Sequence, residues 1–417
     1  MKVYKFGGAS VKDAAGVRNL LDIVSGESEL FIIVSAMGKT TNALEGVFSA
    51  MQQGDEAAAM KRIDESYAYH RAIIDELLGA DRTIEDVDRL FEQLRNTVRN
   101  TIYRASDAEL WYDTIVAYGE LISTTIISNY LNGHGVANRW VDMRRGFLTE
   151  QRHKDANVNL EATTIRLKRE IADSPVSVFV GQGFIGGAPD GTTTTLGREG
   201  SDYSAAIVAN VLDAESMSVW KDVDGILNAD PKIFPDARKI ERLNYMDTIE
   251  MAYSGAQIIH PKTIKPLQQK NIPLYVRPFG NKQSLGSVIT GDVERAYEPI
   301  MIQKSNQVLL NLHSRDLSFV LEEKFAKVFT TLDSHRIRTN LVHNSAVNLY
   351  MSVDASWHID AAISELEAEG FDVEKSEDVE MVTIRYYNDE LYHRYAFDER
   401  IIIKQVTPDS LRFVRRK

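Results

Sequence analysis

Lys5 stands two residues ahead of a glycine pair, Gly7 and Gly8, where the short apolar run Val3 to Phe6 ends. Glycine has no Cβ and reaches backbone angles closed to other residues, so successive glycine N–H groups can close on an anion. A lysine beside them adds the point charge that a polyphosphate attracts, and Ser10 sits in the same loop. Turns from a strand into Gly-Gly are common in proteins that bind nothing there, so the cluster gains meaning only beside others.

The most specific stretch is Gly181-Gln182-Gly183-Phe184-Ile185-Gly186-Gly187, followed by Gly197-Arg198-Glu199-Gly200-Ser201-Asp202-Tyr203. A second glycine loop follows a strand, and a polar loop then turns into a helix at Ser201 or Asp202. A helix start offers unpaired N–H groups to an anion, and Arg198 offers a two-pronged grip on carboxylate or phosphate. The plain alternative is a capped helix with a solvated arginine.

Downstream, Trp220-Lys221-Asp222-Val223-Asp224-Gly225 and Asp230-Pro231-Lys232 form a turn-rich segment after a strand. Lys221 and Lys232 are candidates to clamp nucleotide phosphates. Asp222 and Asp224 would accept hydrogen bonds from a nucleoside or organise the lysines, or else belong to a solvated charged turn. Trp111-Tyr112-Asp113 and Gly119-Glu120 fall on one long predicted helix, where Glu120 is either a surface charge or the partner of a substrate ammonium.

These residues need strands to carry them. Leu30 to Val34 is an uninterrupted apolar run of the buried parallel type, ending in the small polar loop Ser35 to Asn42. Long helices are expected from Ala43 to Asn132, and further strands at 136–141, 176–180, 216–220 and 272–276. Such alternation predicts an α/β sandwich whose ligands lie beyond the carboxyl ends of its strands. After about residue 299 the pattern becomes strand (308–312), helix (317–334), strands (337–342 and 346–353), helix (359–369) and strand (379–387), a ferredoxin-like βαββαβ order. One more strand is expected at 400–405, before a basic end. The expected domains are 1–295 and 300–417.

Composition sets outer limits. The chain has 417 residues, 44% of them hydrophobic and 26% charged, with a net charge of −12 and no cysteine. An acidic chain without a basic stripe argues against nucleic acid as partner. No apolar run approaches the ~20 residues of a membrane span. The opening MKVYKFGG reads as structure rather than an export signal, and the lack of thiols excludes disulfides and thiolate chemistry, so a cytoplasmic protein is expected.

Taken together, Lys5 to Ser10, Val34 to Gly38, Gly119 to Thr124, Gln182 to Gly186, Gly197 to Tyr203, Asp222 to Ile226 and Gly255 to Lys262 resemble the aspartokinase family, end to end and in order. The resemblance implies the amino acid kinase fold followed by ACT-type regulatory material. It also implies ATP-dependent phosphorylation of the β-carboxylate of L-aspartate, the first step toward lysine, threonine, methionine and diaminopimelate. Carried over residue by residue, it makes Lys5 and Asp202 catalytic, and Thr41, Glu120, Arg198 and Ser201 aspartate-binding. It puts Lys5, Gly7, Gly8, Ser10, Lys221, Asp222, Lys232 and Lys262 on the ATP side. ATP and Mg²⁺ are the implied cofactors, with magnesium riding on the nucleotide and no dedicated metal site. A homodimer or larger homo-oligomer through the ACT-like part is expected, because a four-stranded sheet ending in the strand at 379–387 would leave an open edge and an apolar face.

The chain departs from the family at Ala9, Glu199, Lys221 and Gln257, and its effector loop, Arg338 to Leu341, is atypical, so feedback by lysine or threonine is expected to be weak or absent. One ACT unit plus a remnant is expected. Two alternatives stay open: a related glutamate or acetylglutamate kinase, and a non-catalytic amino-acid-binding regulator.

Overall fold

A computed structural model describes residues 1–256, 258–293, 298–315 and 322–417. Gln257 and the first turn of the helix expected from Leu317 lie outside these residues. The chain divides into two compact units. One comprises 1–226, 241–245 and 259–293; the other comprises 227–240, 246–258 and 294–417. Two stretches assigned by sequence to the first domain therefore cluster with the second. Asp247 explains one of them, since Arg385 donates to it at 2.9 Å. Asn228 explains the other by donating to the Pro299 carbonyl at 2.9 Å.

The first unit is built on an eight-stranded sheet ordered Arg242–Asn244, Ser287–Thr290, Leu274–Pro278, Ser216–Lys221, Lys2–Phe6, Leu30–Val34, Val178–Gln182, Arg139–Val141. All pairings are parallel except that of Leu274–Pro278 with Ser287–Thr290. Leu30–Val34 and Val178–Gln182 are buried at every position, as strands covered on both faces must be. Next to them Phe6 stacks on Trp220 with centroids 6.1 Å apart. The α/β expectation holds, and the short strands at 242–244 and 287–290, which extend the sheet at one side, are additions too short to show as apolar runs.

Loops at the carboxyl ends of the central strands are stitched together. Gly38 N–H donates to the Gly8 carbonyl at 3.0 Å. A Cβ on Gly8 would fall 2.5 Å from the Ala36 carbonyl oxygen, so only glycine lets these two turns meet.

The second unit holds a six-stranded antiparallel sheet ordered Thr339–Asn344, Asn348–Asp354, Ile300–Ser314, Phe371–Arg385, Ser410–Arg416, Ile401–Thr407. Its first four strands, with helices Glu322–Ser334 and Ile359–Ala368, form the expected ferredoxin-like arrangement. Leu310, Leu312, Val328, Leu332, Met351 and Leu366 make its core.

Two strands outrun expectation. Ile300–Ser314 and Phe371–Arg385 are 15 residues each and pass through register shifts between Lys304 and Leu309. Bulges bend a strand and break the period-two pattern, which hid the continuation from a sequence reading. Their far halves pair with each other, and Val379–Arg385 then takes Ser410–Arg416 as a neighbour. The edge expected to be open at 379–387 is thus covered there, by the basic end that was not read as a strand. The expected remnant is a layer in its own right, with helix Asp389–Tyr395 over Val382, Ile384, Leu411 and Phe413. Because Phe413 is fully buried in this layer, Phe413→Ala should cost about 3–5 kcal/mol. Denaturant unfolding followed by far-UV circular dichroism should register that loss; an unchanged midpoint would contradict the packing described.

Candidate active site

Asp202 lies in the first turn of helix Gly200–Val211, where the helix dipole favours an acid. The helix start can approach the sheet because the turn after Val178–Gln182 is glycine: a Cβ on Gly183 would fall 2.5 Å from the Ser201 Cβ. Lys5 Nζ sits 2.6 Å from Asp202 Oδ1, and Lys221 Nζ sits 3.7 Å from Oδ2. Burial alone would push the Asp202 carboxyl up, but the two ammonium groups hold it below the usual carboxylate range. All three groups line a cavity of about 760 Å³.

That cavity is lined by Lys5, Thr41, Glu120, Arg198, Ser201, Asp202 and Lys221 among the residues singled out by sequence. Glu120 is placed by a close helix contact, since a Cβ on Gly119 would fall 2.8 Å from that of Ala36. Its Oε1 accepts from the Ala36 N–H at 3.1 Å, while Oε2 is buried without a partner. Burial pushes this carboxyl up to about 8, against the Ala36 N–H and the nearby Lys5 charge. Thr124, one turn on, accepts from Trp140 and Gln182 at 2.9 and 2.8 Å and so fixes the helix against the sheet. Trp111 to Asp113 and Glu120, expected on one helix, occupy two in succession, Ala108–Val116 and Tyr118–Gly133.

Other expected residues stand elsewhere. Gly7, Gly8 and Ser10 form the turn after Lys5 without lining the cavity; a Cβ on Gly7 would lie 3.5 Å from Lys5 Nζ, so the bare backbone leaves room beside that ammonium. Ser10 Oγ is 3.4 Å from the Trp220 carbonyl. Asp222 is exposed and outside the lining, and Lys232 belongs to the second unit. Lys262 does not reach the cavity. Its ammonium bonds Asp155 at 3.0 Å and the Leu196 carbonyl at 3.1 Å, and lies over the Tyr203 ring. An unforeseen acid captures it, which no reading of Lys262 in isolation could show.

The cavity also gathers Ser35, Glu45, Tyr112, Lys154 and Phe184, none of them assigned a role by sequence. Tyr112 donates to Glu45 at 2.8 Å, and Lys154 lies over the Tyr112 ring. Tyr112 adjoins Trp111 in an aromatic pair, whereas Glu45 and Lys154 carry no local signal. Among the described residues no three His, Cys, Asp or Glu side chains gather to hold a metal ion.

A parallel sheet with a cavity of mixed charge beyond the carboxyl ends of its strands is the arrangement of an enzyme for small charged ligands. Residues 1–278 match the amino acid kinase family. The lysine-sensitive aspartokinase 3 of Escherichia coli is 30% identical over 362 residues, 85% of this chain and 78% of that one. The chloroplastic aspartokinase 1 of Arabidopsis thaliana is 31% identical over 391 residues, 88% of this chain and 67% of the relative. The structure of E. coli aspartokinase III with aspartate and ADP superposes with a TM-score of 0.80 at 26% identity, covering 100% of this chain and 96% of that one. The chain belongs to the aspartokinases of the amino acid kinase superfamily. No helix among the described residues is long and apolar enough to cross a membrane.

A buried acid whose pKa is raised binds its proton more tightly folded than unfolded. The free enzyme is therefore expected to lose stability as pH rises from about 4.5 toward 8, where the unfolded chain has released that proton and the folded one has not. Glu120→Gln removes this slope, so the variant should gain in melting temperature relative to the parent between pH 5 and 8. Parallel melting curves across that range would speak against a buried, uncompensated Glu120.

Proposed function

We propose that this chain transfers the γ-phosphoryl group of ATP to the β-carboxylate of L-aspartate, giving 4-phospho-L-aspartate and ADP. The observation that carries the reading is the unpartnered, buried Glu120 Oε2 in one cavity with Arg198 and the Lys5–Asp202–Lys221 triad. Glu120 takes the α-ammonium, Arg198 a carboxylate, and Thr41 and Ser201 flank the acceptor. A β-carboxylate oxygen attacks the γ-phosphorus, the bond to the bridging oxygen breaks, and its electron pair leaves on ADP. No base is required, because the carboxylate is already ionised at neutral pH, and catalysis reduces to positioning and charge neutralisation.

Lys5 and Lys221 stabilise charge on the transferring group, with Asp202 fixing the spacing of their ammonium groups. Gly7, Gly8 and Ser10 leave room beside Lys5 for phosphate oxygens, and Asp222 and Lys232 complete the nucleotide side in this proposal. Magnesium brought in with the nucleotide would supply further neutralisation of the phosphate charge. An acceptor without an ammonium, such as an N-acetylated one, leaves Glu120 uncompensated, which disfavours the acetylglutamate kinase alternative. Pairing of the second unit with another copy, placement in the cytoplasm, and weak response to lysine or threonine complete the proposal. The last is supported by Asn340, whose side chain is engaged by Lys304, Gln307 and Asp354.

A hydroxamate assay with ATP, Mg²⁺ and L-aspartate against L-glutamate tests the reading, with turnover of aspartate alone expected. Lys5→Ala should lower kcat about 100-fold or more while circular dichroism stays unchanged; retention of most of the rate would remove Lys5 from the transition state. Because Glu120 is mostly protonated in the empty site at pH 7, aspartate binding should release close to one proton. Calorimetry in buffers of different ionisation enthalpy reads that number, and a value near zero would contradict the ammonium–Glu120 pairing.

A further inference from the structure

Lys154 has φ of +67°, in the left-handed region that non-glycine residues avoid. What holds it there is a carboxylate with no solvent exposure. Asp113 accepts from the Lys154 N–H at 3.2 and 3.0 Å through its two oxygens, from the Thr195 N–H at 2.9 Å and from the Thr195 hydroxyl at 2.6 Å. His153 Nδ1 lies 3.0 Å from the same group. The loop that carries Lys154 is fastened at its base too, where Ala156 N–H donates to the Thr195 carbonyl at 2.9 Å.

The result of this bracing is an ammonium in the active-site wall. Lys154 lines the cavity with Arg198 and Glu120, and its Nζ lies 4.7 Å over the Tyr112 ring. No carboxylate of the described residues forms an ion pair with it. Other charges of the cavity are spoken for: Lys5 and Lys221 face Asp202, Tyr112 donates to Glu45, and Glu199 accepts from the His260 N–H. Lys154 and Arg198 remain as cations on the acceptor side, opposite an acceptor with two carboxylates, one of which must face the phosphoryl group.

The geometry points to Lys154 as a second binding residue for the α-carboxylate of the acceptor, with Arg198, and to Asp113 as the positioning residue that sets its backbone. The inference deepens the aspartate kinase reading and rests on it. Tyr112 contributes by offering its ring face to the ammonium, which holds the lysine over the cavity before the acceptor arrives. Asp113 suits the task because the Lys154 N–H, the Thr195 N–H and the Thr195 hydroxyl all donate to it. An asparagine there would turn an N–H₂ toward Lys154 N–H or Thr195 N–H, so Asp113→Asn should release the loop.

The test is steady-state kinetics of Lys154→Met, Lys154→Arg, Asp113→Asn and the Lys154→Met/Asp113→Asn double variant. Lys154→Met should raise KM for L-aspartate about tenfold, the loss of one charge-assisted contact, with KM for ATP unchanged. Lys154→Arg should restore most of the affinity. Asp113→Asn should raise KM for aspartate in the parent but add nothing in the Lys154→Met background, because its effect passes through that lysine. A KM for aspartate unmoved by Lys154→Met, or rising equally with that for ATP, overturns the assignment. Additive effects of the two substitutions overturn the role of Asp113. Should the parent enzyme phosphorylate no aspartate at all, it is the proposed function that fails, and the two failures are told apart by that first measurement.

Discussion

The ion triad of Lys5, Asp202 and Lys221 is the constraint from which the rest of the first unit follows. A carboxylate in so dry a place costs several kcal/mol unless it is paired, and here the pairing is with two cations rather than one. Those cations come from the carboxyl-terminal parts of adjacent parallel strands, Lys2–Phe6 and Ser216–Lys221, whose register sets Lys5 beside Val219. Asp202 comes from a helix that reaches them only because Gly183 leaves room for Ser201. Sheet register, a glycine turn and a helix start thus converge on one carboxylate and place its two cations in the cavity wall.

An acidic chain, with a net charge of −12, cannot draw polyphosphates by its overall field. Its attraction has to be local, which is why the cations that line the cavity matter more than their number suggests. Several are also restrained: Lys5 and Lys221 by Asp202, and Lys154 by its backbone and the Tyr112 ring. Restraint lowers the entropy lost when a ligand arrives, so each contact is worth more than a free surface lysine would supply.

What the sequence disclosed and what it hid divide along a physical line. Lys5, Arg198, Ser201 and Asp202 were legible because they belong to local patterns, a strand end, a glycine turn and a helix start, whereas Glu120 reads as readily as a surface charge and took its role from the family resemblance alone. Lys154, Asp113 and Glu45 act through partners far along the chain, Asp113 on Thr195 being 82 residues away, and no local pattern encodes such a meeting. Lys262 shows the converse, a charge of the right type that tertiary structure diverts to Asp155. In the second unit the ferredoxin-like order was legible from periodicity, whereas the continuation of its two long strands past their bulges was not, because a bulge erases the alternation that announces a strand.

Glu120 connects stability with selectivity. Left with an oxygen that nothing in the empty site satisfies, its carboxyl is kept mostly neutral at pH 7 by burial. In the proposed function, free energy withheld from the empty site returns when an ammonium enters, since ionisation and pairing then occur together. An acceptor of the same length without the ammonium gains neither, and must also leave a buried polar group unpaired. Sites built this way reject the wrong ligand by the penalty they impose on it rather than by the contacts they give the right one, and such penalties exceed what a difference of one methylene in an apolar pocket achieves. Discrimination between aspartate and its longer homologue has no such penalty to draw on, because both carry the ammonium. In the proposed function it falls instead to the spacing between Arg198 and Lys154, which take the α-carboxylate, and the triad that faces the phosphoryl group.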